Sequence, residues 1–298
     1  MATATLRTPY VRRRRVGAIA FRAATYLALL LVLLPAAWVL LGVVARAVPH
    51  WKWSVLWTTS SNSGGGLLNA ILGSIVIMIG VLIVAGTIGV LAGIHLSEMA
   101  TISKRSGKQR GNVMRTATEV LSGFPSIVLG YVGYVALVVG LHWGFSLGAA
   151  LVILSMMVIP YIAKSTEGAL RQVPTNYREG AEALGMSRAY ALRKIVLRSG
   201  LPGIVTGLIF AVAIAGGETA PLLYTAGWTN QNPSLKLLHQ PIAYLTYPVW
   251  TYYQQANNGL HYLAYDAALL LIVLILILLV GSRFVVARTQ KYSEGKVG

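Results

Sequence analysis

The chain has 298 residues, 56% of them hydrophobic and only 11% charged, with a mean hydropathy of +0.66. A soluble domain carries roughly 25% charge, so a water-soluble globule is excluded and the length divides better into membrane spans than into soluble domains. A net charge of +17 leaves a nucleic-acid binder or an oriented membrane protein, and the lack of cysteine excludes disulfides, thiolate metal sites and thiol nucleophiles without indicating a redox compartment.

Runs of about 20 apolar residues cross the hydrocarbon core as helices. Six occur, at residues 23–44, 67–96, 118–141, 145–163, 200–225 and 264–286. The predicted fold is an all-α integral membrane domain of six transmembrane helices over 23–286, between tails 1–22 and 287–298. The first run follows Arg12, Arg13, Arg14 and Arg15, and Ala45, Arg46 and Ala47 have the small-x-small form of a signal cleavage site. A signal core is only about 7–15 residues, so an uncleaved helix is expected. The second run is long enough to tilt or to project beyond the bilayer. Only His142, Trp143 and Gly144 separate the third and fourth, which predicts a hairpin.

Orientation follows from the basic residues. Six lie in the N-terminal tail (Arg7, Arg12, Arg13, Arg14, Arg15, Arg22) and five between runs two and three (Lys104, Arg105, Lys108, Arg110, Arg115). Seven lie between runs four and five (Lys164, Arg171, Arg178, Arg188, Arg193, Lys194, Arg198) and four near the C-terminus (Arg283, Arg288, Lys291, Lys296). Only Arg46, Lys52 and Lys236 remain for the other side. Cytoplasmic loops are the basic ones, so both termini are expected in the cytoplasm. Cations that alternate with spans form no single patch, and no nucleic-acid partner is expected.

The two larger outside segments are aromatic. One carries Trp51, Trp53 and Trp57 before a flexible stretch at 60–66; the other, 227–262, carries Trp228, Tyr244, Tyr247, Trp250, Tyr252 and Tyr253. Such rings suit the headgroup level; the alternative is a docking surface for an external partner. Gly89 with Gly93, and Gly203 with Gly207, are GxxxG pairs that permit close helix approach.

The chain carries no site for ATP hydrolysis. Gly107–Lys108 is followed by Gln109 rather than Ser or Thr, and lacks the upstream glycine of a Walker A loop. There is no HExxH and no nucleophile elbow. Glu179 and Glu182 share a helical face among Arg178, Arg188 and Arg193, which suits a solvated or partner-facing role better than acid–base work.

The loop at 165–199 is too patterned for a linker. Pro174 and Thr175 signal a helix start, with Thr175 as cap. Tyr177, Ala181 and Leu184 fall at i, i+4 and i+7 on one face. Gly185 suits the left-handed position that ends a helix, and Ser187 can cap a second helix through Leu192, Ile195 and Val196. A short helix at the cytoplasmic face fits a partner's groove or lies on lipid; periodicity alone does not choose.

The same residues resemble a known element. Glu179–Gly180–Ala181, then Gly185, then Ile195–Val196–Leu197 is similar to the EAA loop of ABC importer permeases, with Gly180 at the middle alanine and Arg198 at the usual proline. Gly217–Glu218–Thr219–Ala220–Pro221–Leu222–Leu223, Phe124–Pro125–Ser126–Ile127–Val128 and Gln240–Pro241–Ile242–Ala243 resemble segments of phosphate-transport permeases of the PstA type. The resemblance implies the type I ABC importer permease fold in a bacterial plasma membrane. It implies a phosphate translocation path shared with a second permease (PstC-like), two cytoplasmic ATPase subunits (PstB-like) and an extracytoplasmic phosphate-binding protein (PstS-like). It implies no cofactor in this chain, with ATP and Mg held by the ATPase. Tyr177, Glu179, Gly180, Ala181, Leu184 and Gly185 would then couple to that ATPase. Other readings are a permease for another oxyanion or small solute, or a membrane enzyme or channel.

Within the spans, Glu218 is the carboxylate expected deep in the bilayer, where an ionisable group is costly and marks function. It could be protonated, paired with an arginine of a partner, or a brace accepting backbone N–H bonds near Gly216 and Pro221. Pro125 removes a donor and frees a carbonyl one turn earlier. Ser122, Ser126 and Thr219 add hydroxyls, and short polar groups at broken helices line transport paths; the alternative at Pro125 is a plain packed kink. Thr219 is the foremost candidate for a direct oxyanion donor. The family often carries an arginine one turn before the glutamate, where this chain has Ile214.

Overall fold

The computed structural model describes residues 9–61, 64–102 and 108–293. The cations Arg7, Lys104, Arg105 and Lys296 lie outside them. The chain divides into two compact units, Met1–His50 and Trp51–Gly298.

The first unit is one helix, α1 (Pro9–Ala47), closed by a 3₁₀ turn at Val48–His50. The helix is already formed through the arginine run, well before the apolar stretch begins. Pro35 sits inside it, and a span tolerates this where local adjustment satisfies the freed carbonyl.

The second unit is a helical bundle. Its elements are α2 (Leu68–Ile102), α3 (Lys108–Gly123), α4 (Ser126–Gly133, continuing as π turns to Gly140), α5 (Leu147–Arg171), α6 (Thr175–Ala183), α7 (Arg188–Ala191), α8 (Leu197–Gly217), α9 (Ala220–Thr225), α10 (Thr246–Thr251) and α11 (Asn258–Ser293). Among the described residues, five helices of the whole chain are long and apolar enough to cross a membrane. The pair Arg115–Gly123 and Ser126–Gly140 passes the same test together and, counted as one span, makes a sixth, but it is bent by 94°. The third expected span is therefore broken. Pro125 supplies no N–H and disfavours helical backbone at Phe124, then serves as the non-helical cap of α4. The carbonyl one turn before it, that of Leu121, is not left free: it accepts from the Phe124 N–H at 3.4 Å.

Helix α5 is the central element, and its neighbours reach it through glycine. A Cβ at Gly93 would lie 2.6 Å from the Ala163 carbonyl oxygen, and one at Gly203 would lie 2.6 Å from the Ala169 Cβ. Gly89 meets Ile162, and Gly207 meets Ser165. Both GxxxG pairs thus face α5, with α2 running parallel to it and α8 antiparallel. In a membrane such close backbone packing, not water exclusion, holds helices together. Ile77, Val81, Ile153, Leu154, Val158, Ile162 and Ala211 fill the interface.

The hairpin at 142–144 is realised by left-handed backbone at His142 (φ 56°) and Gly144 (φ 64°). At the same end, the 60–66 stretch is not free. Ser60–Ser61 pairs with Gly64–Gly65 as strands β1 and β2, and residues 62–63 lie outside the description. Asn69, fully buried, donates to Ser60 Oγ at 2.8 Å and to the Thr229 carbonyl at 2.8 Å, while its Oδ1 accepts from the Ser60 N–H at 3.1 Å. The aromatic set divides. Tyr244 and Tyr252 are core residues, and Trp228 stacks on Tyr247 with centroids 4.4 Å apart; Trp53, Trp57, Trp250 and Tyr253 are exposed. Neither a headgroup ring nor a docking surface describes the whole set, because half of it packs the loops onto the bundle.

Candidate functional site

At the far end of α5, the chain turns at Gln172–Pro174 into α6. Pro174, not Thr175, is the cap: its ψ of 141° is extended and Thr175 is already the first helical residue. Helix α6 ends as the sequence predicts. Gly185 takes φ 72°, its N–H bonds the Glu182 carbonyl at 3.0 Å, and the Met186 N–H bonds the Ala181 carbonyl at 3.0 Å. This double bond pattern is the Schellman motif. Ser187 caps α7, accepting from the Tyr190 N–H at 3.3 Å. With Arg198 where the family pattern carries proline, the helix runs on through a wide π turn at Leu192–Val196 into α8.

The expected single face of α6 divides. Ala181 is buried, but Tyr177 and Leu184 are 52% and 76% exposed. Leu184 is the C-cap residue with ψ 7°, so it leaves the helical stripe. Glu179 and Gly180 are exposed, and a Cβ at Gly180 would meet nothing within 4 Å. Leu170 and Val173 at the end of α5 form a small core with Val196 and Ile204.

Ion pairs that join distant segments tie this region to the bundle. Arg178 of α6 bonds Glu98 of α2 at 2.8 Å, with side chains 20% and 26% exposed. Glu167 of α5 accepts from Arg171 at 2.8 Å and from Arg115 of α3 at 2.6 Å. Such partners, 80 and 52 residues apart, carry no sequence-local signal.

The second region lies where two helices break. Helix α8 stops at Gly217; Glu218 is extended (φ −72°, ψ 137°), and Thr219 leads into α9. The other break is Phe124–Pro125. The two meet, since a Cβ at Gly130 would lie 2.7 Å from the Pro221 Cα, and the Ser126 side chain lies beside that of Glu218. The Glu218 backbone carbonyl accepts from Thr246 Oγ1 at 2.9 Å. Thr219 sits beside Glu218, half-buried.

Ser122 lies on the other side of the Pro125 bend. Its hydroxyl bonds the Glu119 carbonyl at 2.9 Å and accepts from Lys164 Nζ at 3.3 Å. Pro125 itself is exposed. Ser126, Glu218 and Thr219 therefore gather at the paired breaks, whereas Ser122 belongs with Lys164. Ile214, partly buried, packs against the main core. Sequence reasoning missed Lys164 as a neighbour of the break. It also missed Asp266, 3% exposed and two turns inside α11, so Glu218 is not the sole carboxylate within a span. Asp266 already falls within the apolar run 264–286, close to its start; the helix begins earlier, at Asn258, which sets Asp266 two turns inside it.

Comparison with known proteins agrees with this architecture. The phosphate transport system permease protein PstA 2 of Mycobacterium bovis is 56% identical over 273 residues, which is 92% of this chain and 89% of that protein. The phosphate transport system permease protein PstA of Haemophilus influenzae is 33% identical over 261 residues, 87% and 90% of the two chains. Among solved structures, the inward-facing MetNI methionine ABC transporter superposes with a TM-score of 0.60 at 18% identity, covering 75% of this chain and 95% of that one, a likeness in fold alone. Residues 85–291 match the family profile of binding-protein-dependent transport system inner membrane components. The chain belongs to that family.

Proposed function

We propose that this chain is one permease subunit of an ATP-driven importer of inorganic phosphate. It forms half of the translocation path beside a second, PstC-like permease. Two PstB-like ATPase subunits bind ATP and Mg, and a PstS-like protein delivers phosphate from outside. The chain itself is not an enzyme. The names of its relatives support the substrate, and the basic-loop asymmetry supports cytoplasmic termini and a cytoplasmic lever.

The observation that carries the mechanism is the lever's attachment. Helix α6, fenced by Gly185, is joined through Arg178 and Glu98 to α2. The Arg115–Glu167–Arg171 cluster joins α3, and so the Pro125 bend, to the end of α5. Closure of the ATPase pair pushes the exposed Tyr177 and Leu184 side of the lever, and the ion pairs pass that displacement to α2 and α3. The breaks at Pro125 and Glu218 yield first, because their backbones lack continuous helical bonds. Ser126 and Thr219 present hydroxyls there, with Glu218 beside Ser126. Lys164, beside Ser122, supplies the positive charge that Ile214 does not.

Co-expression with a tagged ATPase subunit tests the coupling. The full chain is expected to co-purify, and a chain lacking residues 175–185 is expected to insert in the membrane but not co-purify. Co-purification that survives the deletion would contradict the lever.

A further inference from the structure

Below the span formed by α8 lies a groove of about 590 Å³ lined by Ser187, Ala189, Tyr190, Arg193, Lys194 and Arg198. Its three cations are exposed, and none of them meets a carboxylate among the described residues, whereas Arg115, Arg171, Arg178 and Arg188 are each paired. The lever does not use them. The geometry has a local cause. Eight residues of plain α-helix would leave Tyr190 and Arg198 about 80° apart in azimuth. The π turn at Leu192–Val196 absorbs one extra residue and brings both to the same side, with Lys194 and Arg193 between. Arg198 is also this chain's replacement for the proline of the family pattern.

Depth argues for the ligand class. The apolar run of α8 begins just beyond Arg198, and Lys194 lies roughly 6 Å further out at about 1.5 Å per residue. The headgroup layer is of similar thickness, roughly 5–7 Å per leaflet. Tyr190, half-exposed, lines the same groove one turn before Lys194.

We propose that this groove binds a phosphate-bearing anion, held by Arg193, Lys194 and Arg198 at headgroup depth. The location rests on the proposed membrane orientation; the binding itself does not, and is measured without transport. The full chain in neutral detergent is titrated with phosphatidylglycerol, with phosphatidylcholine and with inorganic phosphate, and bound species are counted by native mass spectrometry. The chain is expected to retain phosphatidylglycerol over phosphatidylcholine. Arg193→Gln/Lys194→Gln/Arg198→Gln is expected to weaken this by roughly a hundredfold, taking about fivefold per neutralised cation. Arg193→Lys/Arg198→Lys keeps the charges and is expected to keep the binding, which separates loss of ligand from loss of fold. A control at the other end, Lys52→Gln/Lys236→Gln, is expected to bind normally. Retention of phosphatidylglycerol against millimolar phosphate identifies the source as lipid, and displacement by phosphate alone identifies it as the free anion. Equal retention of the two lipids with no phosphate bound, or a triple variant that binds like the parent, overturns the proposal.

Discussion

The ion pair between Arg178 and Glu98 gives the most direct handle on coupling. The pair is 2.8 Å long and its side chains are 20% and 26% exposed. Exposed pairs contribute roughly 0.2–1 kcal/mol and hydrogen bonds to charged groups about 1.5–3 kcal/mol. A partly exposed pair of good geometry lies between, at about 1–2 kcal/mol. Arg178→Glu removes that attraction and sets two carboxylates against each other, so the seat of α6 on α2 loses roughly 2–4 kcal/mol. At about 1.4 kcal/mol per factor of ten, the seated population falls by roughly 25-fold or more against the unseated one. Phosphate uptake by cells carrying the whole importer reads this out. Arg178→Glu and Glu98→Arg are each expected to reduce uptake at least tenfold at unchanged membrane abundance. The double exchange, Arg178→Glu with Glu98→Arg, restores the pair and is expected to recover at least a third of parental uptake. A double exchange no better than either single variant would refute the mechanical role of this contact.

Other changes separate the remaining parts of the account. Glu218→Gln keeps an acceptor for the Ser126 hydroxyl and is expected to retain assembly and most uptake, whereas Glu218→Ala and Ser126→Ala break the contact between the helix breaks and lower uptake severalfold; equal loss in Glu218→Gln and Glu218→Ala would point to charge instead. Gly185→Ala forces a Cβ into left-handed backbone and is expected to cost about 1–2 kcal/mol, while Gly180→Ala, facing open space, is expected to stabilise α6 by about 0.5–1 kcal/mol; thermal unfolding in detergent with parallel uptake reads both. Gly93→Val is expected to prevent the packing of α2 on α5 and abolish membrane accumulation, because its Cβ would lie 2.6 Å from the Ala163 carbonyl. Lys164→Gln is expected to lower phosphate uptake more than Lys164→Arg does, with ATPase association intact.

What could be read from the chain was whatever is written locally. Apolar run length marks a span, so the five long helices are legible, and so is the apolar stretch that the structure divides at Pro125. Gly185 and Ser187 are legible because a helix end needs a left-handed residue and a cap at fixed offsets. The family segments located both helix breaks, but not the 94° angle at Pro125 or the meeting of Ser126 with Glu218, which depend on residues some ninety positions apart. The division of the outer aromatic set, with Tyr244 buried and Trp250 exposed, follows from how loops fold back on the bundle. Thr175 lost the cap to Pro174 by one residue, since proline already holds the extended backbone that a cap requires. Arg178, Lys164 and Arg115 looked alike as orientation charges, and only tertiary contact distinguishes the lever's anchor from the neighbour of the break.

The central claim is that phosphate passage through this chain is geared to ATP hydrolysis in its partners by the α6 lever. The most direct measurement is the ATPase rate of the reconstituted importer with its binding protein, across phosphate, sulfate and molybdate, for the parent and for the chain lacking residues 175–185. Phosphate-specific stimulation in the parent and none in the deletion is the expected result. Stimulation that ignores the anion, or that persists without the lever, would contradict it.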